Sequence, residues 1–382
     1  MEKIGIFGGT FDPIHKEHIS FVSYLLEQGF DKVIVVPTFI PPHKESKKIT
    51  PANHRYNMLK KAFTDKRAIV SDYEIKKEGK SYTYLTLEHF SKEYEGADLY
   101  FIVGLDMLVD FKTWKNPTRI LELANLLVAI RKEEKGLEKV IEETIEKERE
   151  YFKKTFNKEF TLLSFLGENI SSTKIRLYNK LGLPIDGLTD KKVIEYIKKH
   201  NLYTGNKYFN SVKKYLPQKR LYHTAHVLET ALKKVKELSL SEMEVETACV
   251  LHDIAKYIDP EAVEGFTYPS DMPRSVIHAK LGAYMAKNLL GVKSSGIIDA
   301  IEYHTTAKPN MTTLAKLVFV ADMISEERTF PGVETLREYY KGDLDTCFVK
   351  CLEAEYFDLK EKGWDIYIDT IDAYDFYVKK EK

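Results

Sequence analysis

Cysteine is scarce in this chain, with three in 382 residues: Cys249, Cys347 and Cys351. They form no CxxC pair and are too few for a disulfide framework, which points to a reducing compartment and to thiols buried as core. Cys347 and Cys351 stand i,i+4 on a predicted helix, but no nearby His or Cys completes a metal site, so they too are read as core. An excess of charge is also missing, since Lys plus Arg is 58 and Asp plus Glu is 58. No global field draws the protein to nucleic acid or to an anionic membrane, and small molecules are the expected partners. Apolar runs are short; the best, such as Leu126 to Ile130, fall far below the roughly 20 residues that span a bilayer. The sequence enters a strand at Lys3 without a charged leader and apolar segment, so no export signal is read and a cytoplasmic location is expected. There is no fixed-period repeat and no low-complexity tract, which argues against a solenoid.

What is present divides in two, as expected for a length above one ordinary domain. Residues 1–204 alternate short apolar runs with helical segments: KIGIFGG, a helix through Ile19 to Gln28, KVIVVP, then DLYFIVG, NLLVAI and EFTLLSF. That alternation predicts an α/β domain with a Rossmann-like parallel sheet covered on both faces, and ligands at the carboxyl ends of its strands. Lys132 to Glu150 reads as an amphipathic helix with a solvated charged face. TGNKYFN is a polar break, and residues 205–382 carry helical periodicity with almost no strand signal, predicting an all-α second domain. Its helices are expected near Asn210–Tyr215, Tyr222–Leu238, Glu242–Ala255, Pro273–Leu290, Ser294–His304, Thr312–Ile324, Gly332–Tyr340 and Leu344–Lys362.

The string GIFGGTFDPIHKEH runs from Gly5 to His18. It begins as a strand, turns on Gly8 and Gly9, and enters a helix expected to carry His15 and His18. Glycines let a phosphate chain approach the backbone, and a helix start supplies N–H donors and positive potential. Two imidazoles at i,i+3 share one face and can reach the same anion.

This string resembles the GGTFDPIHxGH signature of the nucleotidyltransferase superfamily with an HxGH motif. Further segments narrow the resemblance to bacterial nicotinate-nucleotide adenylyltransferases. PTFIPPHK (Pro37 to Lys44) is similar to the family's mononucleotide loop, SYTYLTLEHF (Ser81 to Phe90) to its SYT helix start, and FIVGLDMLVDFKTW (Phe101 to Trp114) to its strand, GxD and Trp segment. ISSTKIR (Ile170 to Arg176) and VIEYIKKHNLY (Val193 to Tyr203) complete the match.

The resemblance implies transfer of an adenylyl group from ATP to nicotinate mononucleotide, giving nicotinate adenine dinucleotide and pyrophosphate. The substrate's own phosphate is then the nucleophile, so the protein need only align two anions and stabilise spreading charge. It implies ATP contacts from Gly8, Gly9, Thr10, Phe11, His15, His18, Asp106, Ser172, Thr173 and Arg176, with Mg²⁺ bridging phosphate oxygens. His15, His18 and Arg176 are the catalytic candidates. Lys44 is assigned to the mononucleotide phosphate, Trp114 to stacking on the pyridine, and Thr83 to its carboxylate; Thr83 is equally a helix cap and Trp114 equally a packing residue. One departure is Glu17 where the motif has glycine: a carboxylate aimed at triphosphate would repel it, so Glu17 is expected to point away or to bind a cation. His43, His54 and His89 have no metal-like arrangement and are read as structural. Adenylylation of nicotinamide mononucleotide or of phosphopantetheine is the competing reading. IPPHK and SYT argue against phosphopantetheine, and nothing separates the acid from the amide.

The second half holds five of the eleven histidines, at 223, 226, 252, 278 and 304. Such density among helices is a metal signal, and the adjacent His252 and Asp253 in LHDIAKY can grip a metal only if other helices bring further ligands, His223 and Asp322 being the obvious ones. RLYHTAHVLETA, LHDIAKY, HAKLGAYMA, EYHTT and LVFVADMISEERTFPGVETLR together resemble the HD-domain phosphohydrolases, and more closely the YqeK-type family that cleaves diadenosine tetraphosphate symmetrically to ADP. That resemblance implies two metal ions held by His223, His252, Asp253, His278, His304 and Asp322, with Asp253 bridging. It implies iron, while the mixed imidazole and carboxylate set also suits manganese, cobalt or zinc. Asp253 and Lys256 are the catalytic candidates there. Lys256 and Arg328 are placed to neutralise substrate phosphates or else are surface charges, and His226 is read as packed. The competing readings are a nucleotide-sensing module whose metal is structural, or a hydrolase of another nucleotide; an intact ligand set favours catalysis. ATP, nicotinate mononucleotide and dinucleoside polyphosphates are the expected small-molecule partners, and an oligomer is left open.

Overall fold

The computed structural model describes residues 1–40, 49–131, 138–168 and 170–379. Six strands form one sheet: β1 (Lys3–Gly9), β2 (Lys32–Pro37), β3 (Ala68–Val70), β4 (Asp98–Gly104), β5 (Asn125–Arg131) and β6 (Phe160–Phe165), in the order β3-β2-β1-β4-β5-β6. All pairings are parallel, with Ile6 opposite Ile34 on one side and Phe101 on the other. The run Val33–Val36 is closed to solvent at every residue, as a strand covered on both faces must be. β3, three residues long, is too short to give a periodic signal and went unread in the sequence.

Helices α1 (Lys16–Glu27), α2 (Ala52–Ala62), α3 (Tyr73–Lys77), α4 (Thr83–Glu93), α5 (Leu105–Asp110), α6 (Pro117–Leu123) and α7 (Glu138–Phe156) alternate with the strands. The core gathers Ile4, Ile6, Val36, Phe101, Phe111 and Phe152 with neighbouring apolar side chains. α8 (Ser172–Leu181) and α9 (Lys191–Lys199) follow. α9 starts where the Asp190 side chain accepts from Lys192 N–H, and it buries Val193, Ile194, Tyr196 and Ile197.

Strand order reverses direction between β1 and β4. In an open parallel sheet that point leaves a crevice outside the carboxyl ends of the two strands, since their connections leave on opposite faces. The ends are Gly9 and Gly104.

The chain separates into two compact units: Met1–Ile175 with Ile185–Leu202, and Arg176–Pro184 with Tyr203–Lys382. Arg176–Pro184, read from sequence as part of the first domain, groups with the helices because Tyr178 packs on Tyr222 and Lys180 pairs with Glu246.

The second unit is helical: α10 (Lys207–Tyr215), α11 (Gln218–Leu232), α12 (Glu242–Leu251), α13 (Arg274–Asn288), α14 (Ser295–Glu302), α15 (Thr313–Ile324), α16 (Val333–Lys341), α17 (Leu344–Glu361) and α18 (Ile368–Tyr374). α15, and α12 from Thr247 onward, are buried almost all round, so they read as core helices rather than amphipathic ones. α11 packs on α12 and α15, α14 on α13 and α15, and α15 on α17. The three cysteines are free and buried, as read. No helix among the described residues is long and apolar enough to cross a membrane.

Candidate nucleotide site and metal centre

In the first unit, β1 ends at Gly9 and the chain turns through Thr10 to Ile14 before α1. A Cβ on Gly9 would lie 2.8 Å from the Phe11 ring, so only glycine fits beneath that side chain. Three carbonyls of this loop are tied from behind. Arg55 Nη1 donates to Thr10 O at 2.7 Å, Ser172 Oγ to Pro13 O at 2.8 Å, and Thr189 Oγ1 to Ile14 O at 2.7 Å.

The sequence put both histidines on the helix. Instead His15 is the residue before α1, extended at φ −129° and ψ 169°, and His18 is the third residue within it. The spacing still brings them together: the rings stack with centroids 3.6 Å apart, and His15 N–H faces His18 Nδ1 at 3.4 Å. Phe11 packs edge-on to His18, 5.0 Å between centroids. Glu17 is buried, with Oε1 only 2.9 Å from where a Cβ on Gly167 would stand. Its carboxylate thus lies against the loop after β6, and Lys16 pairs with Glu168 of the same loop at 2.6 Å.

Across the crevice, Asp106 is exposed in the first turn of α5, and a Cβ on Gly104 would come within 2.7 Å of its Oδ1. Trp114 is half-buried, packed on Phe111 at 5.3 Å and Phe101 at 6.0 Å, so it belongs in part to the core. Thr83 opens α4 after Tyr82 and is not its cap. Ser171 caps α8 by accepting from Lys174 N–H at 2.9 Å, which puts Ser172 and Thr173 in the helix's first turn. Arg176 lies on α8 in the segment that belongs to the helical unit. Lys44 and His43 lie outside the described residues.

Arg55 was missed by the sequence reading. It is fully buried in α2, and besides Thr10 its guanidinium donates to Thr50 O, Thr38 O and Phe39 O at 2.8, 2.6 and 3.0 Å. Nothing in NHRYN distinguishes it from a solvated arginine.

In the second unit all six expected ligands meet. His223 comes from α11, His252 and Asp253 from the end of α12, His278 from α13, His304 from just past α14, and Asp322 from α15. Asp253 stands between two imidazole pairs. Its Oδ2 faces His252 Nε2 at 3.4 Å and His223 Nε2 at 3.7 Å; its Oδ1 faces His278 Nε2 at 3.1 Å and His304 Nε2 at 3.6 Å. Asp322 Oδ1 adds to the first pair, 3.0 Å from His223 Nε2.

The tautomers fit a metal. His252 Nδ1 lies 2.6 Å from Cys249 O and His304 Nδ1 2.8 Å from Ile301 O, and a carbonyl can only accept. Each Nδ1 therefore carries the proton and each Nε2 presents a lone pair inward. The inward nitrogens then face one another at 3.3 Å, His252 to His223 and His278 to His304. Buried lone pairs converging on carboxylate oxygens are a divalent cation's coordination set. His223, His252 and Asp322, and separately His252, Asp253 and His304, each place ligand atoms within 4.8 Å of one another.

Burial opposes ionisation of Asp322, yet His223 and Arg328 outweigh it and hold its carboxyl well below the usual range. Burial lowers His252, and brings His278 down to about 4, favouring the neutral ring a metal needs.

The surrounding residues were only partly legible. Lys256 Nζ stands 3.1 Å from His278 Nε2 and 3.9 Å from Asp253 Oδ1, and Arg328 pairs with Asp322; neither is a free surface charge. His226, read as packed, instead bonds Glu327 Oε2 at 2.8 Å through Nδ1 and the Tyr178 hydroxyl at 3.1 Å through Nε2. Glu327, which also bonds His223 Nδ1, and Arg220, paired with Asp253, were missed. Arg220 could have been found, since it precedes His223 by three and shares its helix face. Glu327 sits in a charged EER run that gives no such signal.

Residues 6–177 match the cytidylyltransferase-like family, and residues 220–327 match the HD domain. The probable nicotinate-nucleotide adenylyltransferase of Clostridium tetani is 42% identical over 205 residues, 53% of this chain and 100% of that protein. Its namesake from Clostridium acetobutylicum is 40% identical over 205 residues, with the same two coverages. A solved structure from Clostridium acetobutylicum, described as a predicted HD superfamily hydrolase involved in NAD metabolism, is 26% identical with a TM-score of 0.43, covering 46% of this chain and 96% of that one. A relative matched along its whole length fixes the affiliation of the first half: the chain belongs to the nicotinate-nucleotide adenylyltransferase family, and it carries an HD domain after that region.

Proposed function

We propose that the first half joins the adenylyl group of ATP to nicotinate mononucleotide, and that the HD half hydrolyses diadenosine tetraphosphate symmetrically to two molecules of ADP. The stacked His15–His18 pair at the carboxyl end of β1, across the switch point from Asp106, carries the first reading. In that reaction a phosphate oxygen of the mononucleotide attacks the α-phosphorus, the bond to the β-phosphate breaks, and pyrophosphate leaves. The imidazoles and the N–H groups around Gly8 to Phe11 bind the triphosphate, joined by Ser172 and Thr173 at the start of α8. Mg²⁺, when bound, neutralises phosphate oxygens. Asp106 binds at the nucleotide and Trp114 offers its free face to the pyridine.

For the HD half, Asp253 as a carboxylate between two imidazole pairs supports a two-metal centre. Iron is the metal proposed, with manganese, cobalt and zinc compatible with the same donors. Bound metals supply Lewis acidity to water and to the phosphoryl group. Asp253 and Asp322 fix the ions, while Lys256 and Arg328 bring positive charge to the phosphate chain.

The test is incubation of the protein with ATP, Mg²⁺ and either pyridine mononucleotide, and in parallel with diadenosine tetraphosphate, with products separated by chromatography. Nicotinate adenine dinucleotide and ADP are expected. Absence of dinucleotide with either mononucleotide defeats the first assignment, and intact tetraphosphate after metal loading defeats the second.

A further inference from the structure

Two clefts open beside the HD centre, and they share Thr305 and Glu355. One, of about 590 Å³, is lined by His304, Asp322, Arg328, Phe330 and Phe357; the other, of about 620 Å³, by Lys256, Thr306, Trp364 and Tyr367. Both volumes fall in the range of small-molecule sites. Each cleft has the same three kinds of lining: residues of the histidine–aspartate cluster or a cation beside it, the shared polar pair, and an exposed aromatic. Phe357 is 48% exposed and Trp364 61%, the first held edge-on by Tyr356 and Tyr374 and the second beneath Lys362. At the shared wall, Glu355 Oε2 and Thr305 Oγ1 are closed to bulk solvent and have no hydrogen-bond partner among the described residues. A buried polar atom without a partner costs free energy unless a ligand meets it.

Those three kinds of lining match the three parts of a nucleotide. Phosphates need the cluster and cations, sugar hydroxyls need an acceptor and a hydroxyl, and a base needs a π-face. We propose that the two clefts are paired nucleoside subsites. One substrate molecule lays its phosphate chain across the metal cluster, each base stacks on Phe357 or Trp364, and Glu355 with Thr305 hydrogen-bonds the sugar hydroxyls. The inference rests on the hydrolase reading above and deepens it, because it explains how a substrate with a nucleoside at both ends is told from one with a single nucleoside.

The experiment uses the metal-loaded full chain and compares Phe357→Ala, Trp364→Ala and the double variant, all at exposed positions. For diadenosine tetraphosphate each single change raises KM about tenfold and the double about a hundredfold, by the loss of one stacking contact and then two. For adenosine tetraphosphate, which can use either cleft, each single change costs about twofold and the double about tenfold. An unchanged KM for the dinucleotide in either single variant, or a double variant no worse than its singles, overturns the proposal.

A second readout does not need turnover. Trp114→Phe leaves Trp364 as the one tryptophan of the two, and its emission then reports ligand in its cleft. The dissociation constant for diadenosine tetraphosphate is expected to rise about tenfold with Phe357→Ala, and with Glu355→Ala to rise about tenfold for the ribonucleotide but not for its 2′,3′-dideoxy analogue. Emission that responds in this way without hydrolysis defeats the reaction and keeps the subsites; hydrolysis with emission indifferent to nucleotide does the reverse.

Discussion

At the scale of single residues, the sheet unit solves two opposite problems of buried charge, at Arg55 and at Glu74. Arg55 is a cation that organises backbone, meeting four carbonyls from three segments at the mouth of the crevice. Removing it leaves those acceptors unmatched, each worth about 1–3 kcal/mol when buried, so Arg55→Ala is expected to destabilise the protein by at least about 3 kcal/mol in urea unfolding. Lysine keeps the charge but has no planar fork, and is expected to recover less than half. Equal stability of Arg55→Lys and wild type would show that charge, not geometry, matters. Glu74 is a buried acid whose burial raises its pKa, against the lowering effect of Ser81 and Thr86; it accepts from Thr86 Oγ1 at 2.6 Å. A raised acid costs stability as pH climbs from its ordinary 4.5 towards its value in the fold, because only the unfolded chain ionises freely. Glu74→Gln keeps the acceptor and cannot ionise. The variant should melt with the wild type at pH 4 and above it at pH 8; parallel curves at both pH values would refute the assignment. Neither role was legible. Arg55 and Glu74 look like surface charges in sequence, since burial is decided by which helix face meets the sheet. The six clustered imidazoles and carboxylates of the helical unit were legible because chemistry, not burial, selects their types.

Elements show the same division. Five strands could be read because each is a mostly apolar run of six or seven residues, whereas β3, with only Ala68 to Val70, is too short to read. The helices of the second unit were placed to within a few residues except at the end of α11, which stops at Leu232 rather than Leu238, and at α18, where Thr370 and Ala373 are buried while Ile368 is exposed. Boundaries at the sites mattered most. His15 falls one residue outside α1 rather than inside it, and this lets its ring swing onto His18 instead of standing a turn away. Gly9 sits where the strand becomes that loop, and Gly9→Ala would drive a methyl into Phe11. The ring must move, and it carries the packing on His18 with it. Adenylyl transfer is therefore expected to fall at least tenfold, while Gly8→Ala, whose added Cβ would meet only Phe101 at 3.9 Å, is expected to fold as stably as wild type by thermal melting. Loss of fold in Gly8→Ala would show that the turn itself, not the Phe11 contact, demands glycine.

On the scale of the whole molecule, both units bury apolar cores, and the helical one adds a polar cluster within its own. The sheet unit is held by an apolar core that needs no ligand to complete it. The helical unit gathers four imidazoles and two carboxylates in its interior from five helices, and turning those groups inward is unfavourable until a cation satisfies them. Metal should therefore stabilise one unit and leave the other alone, by an amount that grows with the ratio of free metal to its dissociation constant, about 4 kcal/mol at a thousandfold ratio. Calorimetry of the metal-loaded protein and of the chelated protein is expected to show two transitions, with only one lowered by chelation. Glu327→Ala is expected to mimic part of that shift. Its carboxylate holds His223 and His226 together, and losing such a partner typically weakens a site 10- to 100-fold, so the variant should need correspondingly more metal to restore the upper transition. A chelator that moves both transitions equally, or neither, would mean that the imidazole cluster is a polar core closed by its own ion pairs to Arg220 and Arg328. In that case metal content measured after gel filtration would not change between Glu327→Ala and wild type.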